Sequence, residues 1–479
     1  MPDKTEDKVN NTSHGYDLMA TKWGLIDDLL GGTEAMRKAG TKWLPMEDRE
    51  LATQYNRRLA RSILYNAFAD TIQKVVAKPF SKPVTLINST PELDELAKDV
   101  DGKGRDITQY GRDWFAMSTT YGVASTLVTF PKNVDDEGNI IDRSLGEELE
   151  IGQRPSWILI PPHNIIGWRT ELGLDGQPVL TQVRIKEITY EPVGNFSEKV
   201  VNRIRVITPT DQTLYIWDKD SDKYVFEEAF THSFGSIPLE SFYTRQIDFL
   251  VGFPPYERLA WLNLAHWQSM SDQRNILRYI RFPLLKAIGL TQAEIDAGFV
   301  LGPNNMIATT NSDADISYIE HTGKAAEVGN QDLVSLEERM EVLGLQPIMS
   351  KLGNVKATGQ AISEAKLQST VQAWIREFEF AVENAFRLSA KWLGKEVPED
   401  FEVQVYSDFS LGLKASEDID AIIRMYEKRL IDQETAIKEV KRRGIIDESV
   451  DVDEVVSKIE SMGPSLGMLS SVNIEDDNA

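Results

Sequence analysis

The chain has no cysteine. That excludes disulfide staples, thiolate metal ligands and a cysteine nucleophile, and it suits a reducing compartment. No run reaches the ~18 consecutive apolar residues that mark a membrane-spanning helix, and the opening stretch MPDKTEDKVNNTSHG lacks the apolar core of a signal peptide. The expectation is a soluble protein made in the cytoplasm, with no membrane partner. Histidine is scarce: His14, His163, His232, His266 and His321 stand far apart, none in a metal-ligand spacing such as HExxH, and each reads as a solitary packing or surface residue. Positive charge is short too, with 52 Lys and Arg against 75 Asp and Glu and a net charge of -23. A surface that grips nucleic acid neutralises phosphates with Lys and Arg, so this balance argues against tight binding over the whole surface.

The signatures of chemistry are missing as well. There is no GxxxxGK[ST]; LGK at 393–395 and TGK at 322–324 lack the upstream glycine of a phosphate-cradling loop. GPSLG at 463–467 fits GxSxG only as a string in the polar tail, with no strand before it to make an elbow, and no GxGxxG follows a strand. Asp218, Asp220 and Asp222 lack the glycine and terminal glutamate of a calcium loop, and read as a solvated hairpin turn. The expectation is no catalytic residue, no metal and no cofactor, and hence no enzyme.

What is present is enough apolar residue, 41% of 479, for a sizeable core and several structural units. Residues 1–15 are polar and read as a disordered arm. The stretch EDRELATQYNRRLARSILYNAFADTIQKVVAKPF reads as one helix, with Tyr55, Leu59, Ile63, Ala67, Ile72 and Val75 on one face and Pro79 as its stop. A helix over 108–121 leads into GVASTLVTF, a buried strand. From 157 to 243 short β-branched and aromatic runs alternate with turn residues, and WDKDSDKY is a hairpin turn. A long, broadly apolar helix follows over 255–283, keeping Asn263, Gln268, Asp272 and Asn275 among its apolar residues. Then comes a mixed segment, 284–330, with strand candidates at 306–310 and 316–319. Next is a helix capped by Asn330, with Leu333, Leu336, Met340 and Leu343 at 3-4-3 spacing and Glu337, Glu338 and Glu341 on its outer face. A glycine-bearing stretch over 345–358 separates it from a helix of about 35 residues ending at Gly394. EVQVYSDFSL reads as a strand. Two short helices close the pattern, one capped by Ser416 and one over 432–443, before a disordered tail at 463–479. The fold class is α+β.

The order of these parts resembles the portal proteins of tailed bacteriophages. Three strings, MRKAGTKWLPMEDRE with the helix that follows it, PPYERLAWLNLAHWQSMSDQRN and LEERMEVLG, resemble a portal-like phage family known from sequence as a domain of unknown function. The resemblance implies a ring of about twelve copies at one head vertex of the virion, assembled in the host cytoplasm, with double-stranded DNA passing non-specifically along the axis. It implies a wing over 16–254 with a β-rich insert at 155–245, stem helices at 255–283 and 331–344, and a clip at 284–330. It further implies a tunnel loop at 345–358, a long wing helix at 359–395, a wing strand at 396–411 and crown-like helices at 412–462. Glu337, Glu338, Glu341, Lys351 and Lys356 would line the channel. Gln346, Pro347, Leu352, Gly353 and Asn354 would form the tunnel loop, and Ile307, Ile316, Tyr318 and Ile319 a clip interface paired between neighbouring subunits. The implied partners are major capsid and scaffolding proteins, the terminase packaging motor, and tail or head–tail adaptor proteins. The alternatives are another phage head or head–tail connector protein and, third, a packaging enzyme, against which the missing phosphate loop counts.

Overall fold

The computed structural model describes residues 7–129, 146–147, 152–174, 176–232, 234–281, 284–297, 311–319, 323–344, 357–407, 422–428, 430–442, 455 and 457–458. The chain divides into two compact units, residues 1–406 and 407–479.

The larger unit opens with two helices that sequence reasoning did not pick out, α1 (His14–Leu30) and α2 (Gly32–Ala39), the first beginning inside the stretch read as a disordered arm. Ser13 caps α1, its hydroxyl accepting from the Tyr16 N–H. The single helix expected next is broken into α3 (Ala52–Arg61) and α4 (Ala67–Ala77), with Ser62 extended at ψ 132°. The break turns Ile63 out to solvent, whereas Tyr55, Ala67, Ile72 and Val75 are buried as the periodicity demands. Its cause is polar: Asn66 accepts from the Ala69 N–H and donates to Leu29 O, so the chain leaves the helix to begin a better-capped one.

Strand β1 (Thr85–Ile87), helix α5 (Pro91–Lys98) and helix α6 (Ile107–Tyr121) follow. Asp106 caps α6, and Gly122 ends it at φ 93°, where any side chain would also run into the Phe253 backbone. Strands β2 (Val123–Thr129) and β3 (Ser156–Ile160) come next. Then β4 (Ile165–Leu172), β5 (Pro178–Val193), β6 (Ser197–Ile207), β7 (Asp211–Asp218) and β8 (Lys223–Thr231) form a five-stranded antiparallel meander. The expected hairpin is present: Asp218 pairs with Lys223, and the Asp218 carboxylate accepts from the Asp220 N–H and the Ser221 hydroxyl. Strand β9 (Leu239–Tyr243) returns to pair with β2, giving a second sheet in the order β3-β2-β9. A small ladder of β10 (Gln246–Asp248) and β11 (Val251–Gly252) precedes helix α7 (Glu257–Ile280).

Beyond α7, β12 (Leu284–Ile288), helix α8 (Gln292–Ala297) and β13 (Asp315–Ile319) make a small module. Strand β13 pairs antiparallel with β12 of its own chain, from Leu284 opposite Ile319 to Ile288 opposite Asp315. Along that edge the strand finds its partner within the subunit, not in a neighbour; residues 306–310 lie outside the described residues. Helix α9 (Lys324–Leu343) starts seven residues earlier than the Asn330 cap predicted, because Lys324, Ala325, Ala326 and Glu327 are good helix formers and Gly329 is tolerated for a packing reason given below. Helix α10 (Ala357–Trp392) and β14 (Glu402–Gln404) complete the unit. Strand β14 pairs with β1, and its Val403 N–H donates to Glu383 while that of Val405, two residues on, donates to Glu379, both glutamates standing on α10. In the smaller unit α11 (Gln433–Arg442) is capped by Asp432, which accepts from the Thr435 N–H. The helix expected at Ser416 begins outside the described residues.

The core sits where α6 and α10 cover the β3-β2-β9 sheet. Phe378 of α10 meets Trp114, Phe115 and Phe242 at centroid distances of 5.5, 5.4 and 5.0 Å. Phe386 meets Trp157 at 4.8 Å, and the Trp157 indole donates to Ser389. All six aromatic side chains are fully buried. Each contributes about 1.5–3 kcal/mol by burial, with roughly 0.5–1.5 kcal/mol more per edge-to-face pair.

One acid sits against this core. Burial pushes the Glu240 carboxyl up to about 7, opposed by the hydrogen bond from Asn384 on α10. Native Glu240 therefore holds a proton more tightly than the unfolded chain does. Its contribution to stability is complete at acid pH and is lost as pH rises through about 7. Glu240→Gln should stabilise the protein by roughly 1–3 kcal/mol at about pH 8.5 and leave it unchanged near about pH 4.5. Urea denaturation at the two pH values checks this; an equal shift at both would show that Glu240 is ionised throughout.

Candidate functional site

The segment that the resemblance marks as stem is a helical hairpin. Along α7 and α9 three polar contacts run in opposite chain directions. Gln273 donates to Ala326 O at 2.7 Å, Ser269 to Asp332 at 2.9 Å, and the His266 Nε2 lies 3.2 Å from Glu337. The two helices are therefore antiparallel, with the β12–β13 module at the connected end. Gly329 explains its own presence: a Cβ there would stand 2.1 Å from the Gln273 side-chain oxygen. The glycine costs about 1 kcal/mol of helix propensity and permits the close approach.

The apolar seam of α9 is the predicted one, with Leu333, Leu336 and Met340 buried. On α7 the buried set is Leu259, Ala260, Leu264 and Trp267, joined by Asn263 and His266, each wholly inaccessible. Asn263 accepts from the Phe68 N–H and donates to Tyr65 O, bridging the break between α3 and α4. Gln268 donates to Trp43 O, and Ser271 meets the Ser62 hydroxyl at 2.9 Å. Arg58 is only 4% exposed and makes a two-pronged pair with Glu50 at 2.8 and 3.0 Å, a bond to Pro45 O and a long contact to Asp272. Hydrogen bonding to Glu50 raises the Arg58 value, and the same bond lowers that of Glu50.

Of the residues assigned to a channel, Glu337 faces the buried His266 with a side chain 36% exposed, so it holds the hairpin together as well as presenting charge. Glu338 is exposed and Glu341 half-buried, both in the last turns of α9. Ile316 and Ile319 lie on β13, with Tyr318 in the same strand, at the opposite end of that helix. The acidic trio and the clip strand are thus separate, one at each end of α9. Ile307, Lys351, Lys356, Gln346, Pro347, Leu352, Gly353 and Asn354 lie outside the described residues. Sequence reasoning missed Gln273, His266 and Gly329 as positioning residues. Asn263 and Gln268 were visible as polar residues on an otherwise apolar rod. Among the described residues no cluster of three His, Asp or Glu side chains could hold a metal ion, and no helix is long and apolar enough to cross a membrane.

Residues 255–393 match the model of a family described as a domain of unknown function, DUF4055. The match covers under a third of the chain, from the start of the hairpin to the end of α10. No curated protein matches. Among solved structures the chain is similar to one in "Virion of native gene transfer agent (GTA) particle", at 11% identity over 77% of this chain and 88% of that one, with a TM-score of 0.45. It is similar also to one in "Neck of empty GTA particle computed with C6 symmetry", at 8% identity, the same coverage and a TM-score of 0.45. At that score neither likeness carries an argument about function.

Two substitutions separate packing from charge. Gly329→Val should displace the Gln273 side chain from its bond to Ala326 O and cost about 1–3 kcal/mol, as crowding a packed contact does. Glu337→Ala should cost roughly 1–3 kcal/mol by leaving His266 buried without its acceptor, whereas Glu338→Ala should cost about 0.5 kcal/mol or less. Thermal melts of the three variants give the comparison, and equal losses for the two glutamates would refute a structural role for Glu337.

Proposed function

We propose that the chain is a portal-type subunit: a structural protein that closes into a ring, of about twelve copies, through which viral double-stranded DNA is packaged and ejected. The observation that carries the reading is the apolar surface left on the two long elements of the hairpin and on α10. Trp261, Ile276, Val334 and Val342 are exposed on α7 and α9, and Phe380 is 60% exposed on α10. One subunit leaves these faces in water, and a neighbour related by rotation about an axis would cover them; a head-to-tail contact of that kind closes into a ring. The charge of α9 supports the same reading. It carries five acids, Glu327, Asp332, Glu337, Glu338 and Glu341, against Lys324 and Arg339. Repeated around a ring, that excess would keep phosphates from settling on the wall, since each lysine–phosphate contact adds affinity and would brake sliding. Segment 345–358, with Lys351 and Lys356 and no acid, would then meet the DNA beyond the acidic stretch. The β12–β13 module would dock the packaging motor and later the tail, and the chain itself would turn over no nucleotide. A different head–tail connector protein is the second reading, favoured if the ring forms but does not conduct DNA.

Native mass spectrometry and negative-stain class averages of the purified chain test the ring. The expected species is a closed ring near twelve times 54.0 kDa; compact monomers at micromolar concentration would overturn the proposal. Conduction is tested by Glu338→Lys with Glu341→Lys. The ring should persist while packaging slows severalfold at low salt and recovers at high salt, because exposed charge pairs are screened.

A further inference from the structure

The five-stranded sheet treats its arginines in two ways. On one face Arg203 is held by Glu191, Glu227 and Thr189, and Arg205 by Glu187 and Gln212. These guanidinium groups are fully paired. The opposite face carries a groove of about 990 Å³ in which Arg169 (β4), Arg184 (β5) and Lys223 (β8) are lining residues together with Trp217 and Tyr224. None of these three cations makes an ion pair with the described residues. Arg184 lies over Gly167, where a Cβ would stand 2.1 Å from its Nη2, and donates through Nη1 to Val9 O at 3.2 Å. Its Nε is buried and has no hydrogen-bond partner among the described residues. Burial, and then the positive charge of Arg169, lowers the Arg184 value, with Asp7 opposing. A buried donor without an acceptor costs about 1–3 kcal/mol, and a second cation beside it adds to the cost. In a chain of net charge -23 such a concentration of unmatched cations is out of keeping with the rest of the sequence.

We propose that this groove binds an acidic segment of a partner polypeptide. Arg169 and Lys223 pair with its carboxylates, Arg184 supplies the unmatched donor, and the edge-to-face pair of Trp217 and Tyr224, 5.0 Å apart, takes the apolar side chains between the acids. Two observations favour polypeptide over nucleic acid, the other polyanion that Arg and aromatic side chains recognise. The groove already holds backbone: residues 7–10 line it, and Arg184 grips a peptide carbonyl there. Asp7 and Asp222 also line it. A strand bearing a phosphate every ~3.4 Å would have to run over them, whereas a peptide can space its acids to avoid them. This inference stands apart from the ring reading, since it concerns one subunit.

The test uses the full chain and three fluorescein-labelled probes in anisotropy titrations: a dodecapeptide of the repeat Asp-Glu-Phe-Gly, its counterpart with Lys for both acids, and single-stranded oligothymidylate. The acidic peptide should bind, the basic one should not, and raising salt from about 50 to about 300 mM should weaken binding severalfold. Arg169→Glu with Lys223→Glu, both at exposed positions, should reduce acidic-peptide affinity tenfold or more with an unchanged circular dichroism spectrum. Arg184→Gln serves as a second variant, its fold checked in the same way. Tighter binding of oligothymidylate than of the acidic peptide, no peptide binding, or undiminished binding by the folded double variant would each overturn the proposal.

Discussion

Backbone groups cannot be left unpaired in a protein interior, and the larger unit meets that constraint at the break between α3 and α4 by borrowing a side chain. The segment 62–66 has left one helix and not yet entered the next. Asn263, wholly buried on α7, supplies both missing partners: its carbonyl takes the Phe68 N–H and its amide gives to Tyr65 O. Much else about α7 follows from that. An asparagine can satisfy two backbone groups only if the helix bearing it is fixed in rotation and height, and Gln268, Ser271 and the Arg58 network fix both. The polar residues on an apolar rod are therefore its register marks, in the way a single buried asparagine sets register in a coiled coil.

How far the molecule could be read from its sequence follows the same logic. Elements whose information is local were legible: the β-rich stretch with its Asp218 hairpin, the buried strand Val123–Thr129, and the seam of Leu333, Leu336 and Met340. The break at Ser62 was not: Asn66 caps α4 locally, but the freed backbone is paired by Asn263, about two hundred residues away, and Asn66 itself is held by Leu29 O. The early start of α9 was hidden by Gly329, which sequence reasoning counts against a helix and which is retained for the approach of Gln273. Strand β13 looked like an edge in search of a neighbour because its partner, Leu284–Ile288, is too short and ordinary to stand out. As for the site, Glu337, Glu338 and Glu341 were visible as an acidic face. That Glu337 also faces a buried histidine was not, since nothing in the spacing links positions 266 and 337.

The hairpin and the long helix put two different demands on one stretch of chain. Where α7 and α9 meet, the contacts are close and polar, so the pair behaves as one rigid element. Away from that seam, Trp261, Ile276, Val334 and Val342 are left in water, although Trp261 is partly sheltered by Trp43 at 6.3 Å. A rigid element with apolar residues on its outer faces is suited to repeated lateral contact, because docking it costs little conformational entropy.

Charge is arranged with the same economy. The arginines of the larger unit that sit near carboxylates are consumed by them: Arg58 by Glu50, Arg105 by Asp101 and Asp113, Arg203 by Glu191 and Glu227. Since acids exceed bases by 23, internal pairing should exhaust the cations first and leave the surface acidic almost everywhere. Arg169, Arg184 and Lys223 escape that accounting. No carboxylate from the opposite face can reach through the sheet, and Asp7 and Asp222 line the groove without pairing with them. An unmatched cationic site in an acidic molecule is held at a cost, through desolvation of Arg184 and repulsion from Arg169. A ligand carrying its own carboxylates would offset both terms by pairing with the guanidinium groups, which is the physical basis of the proposed acidic partner.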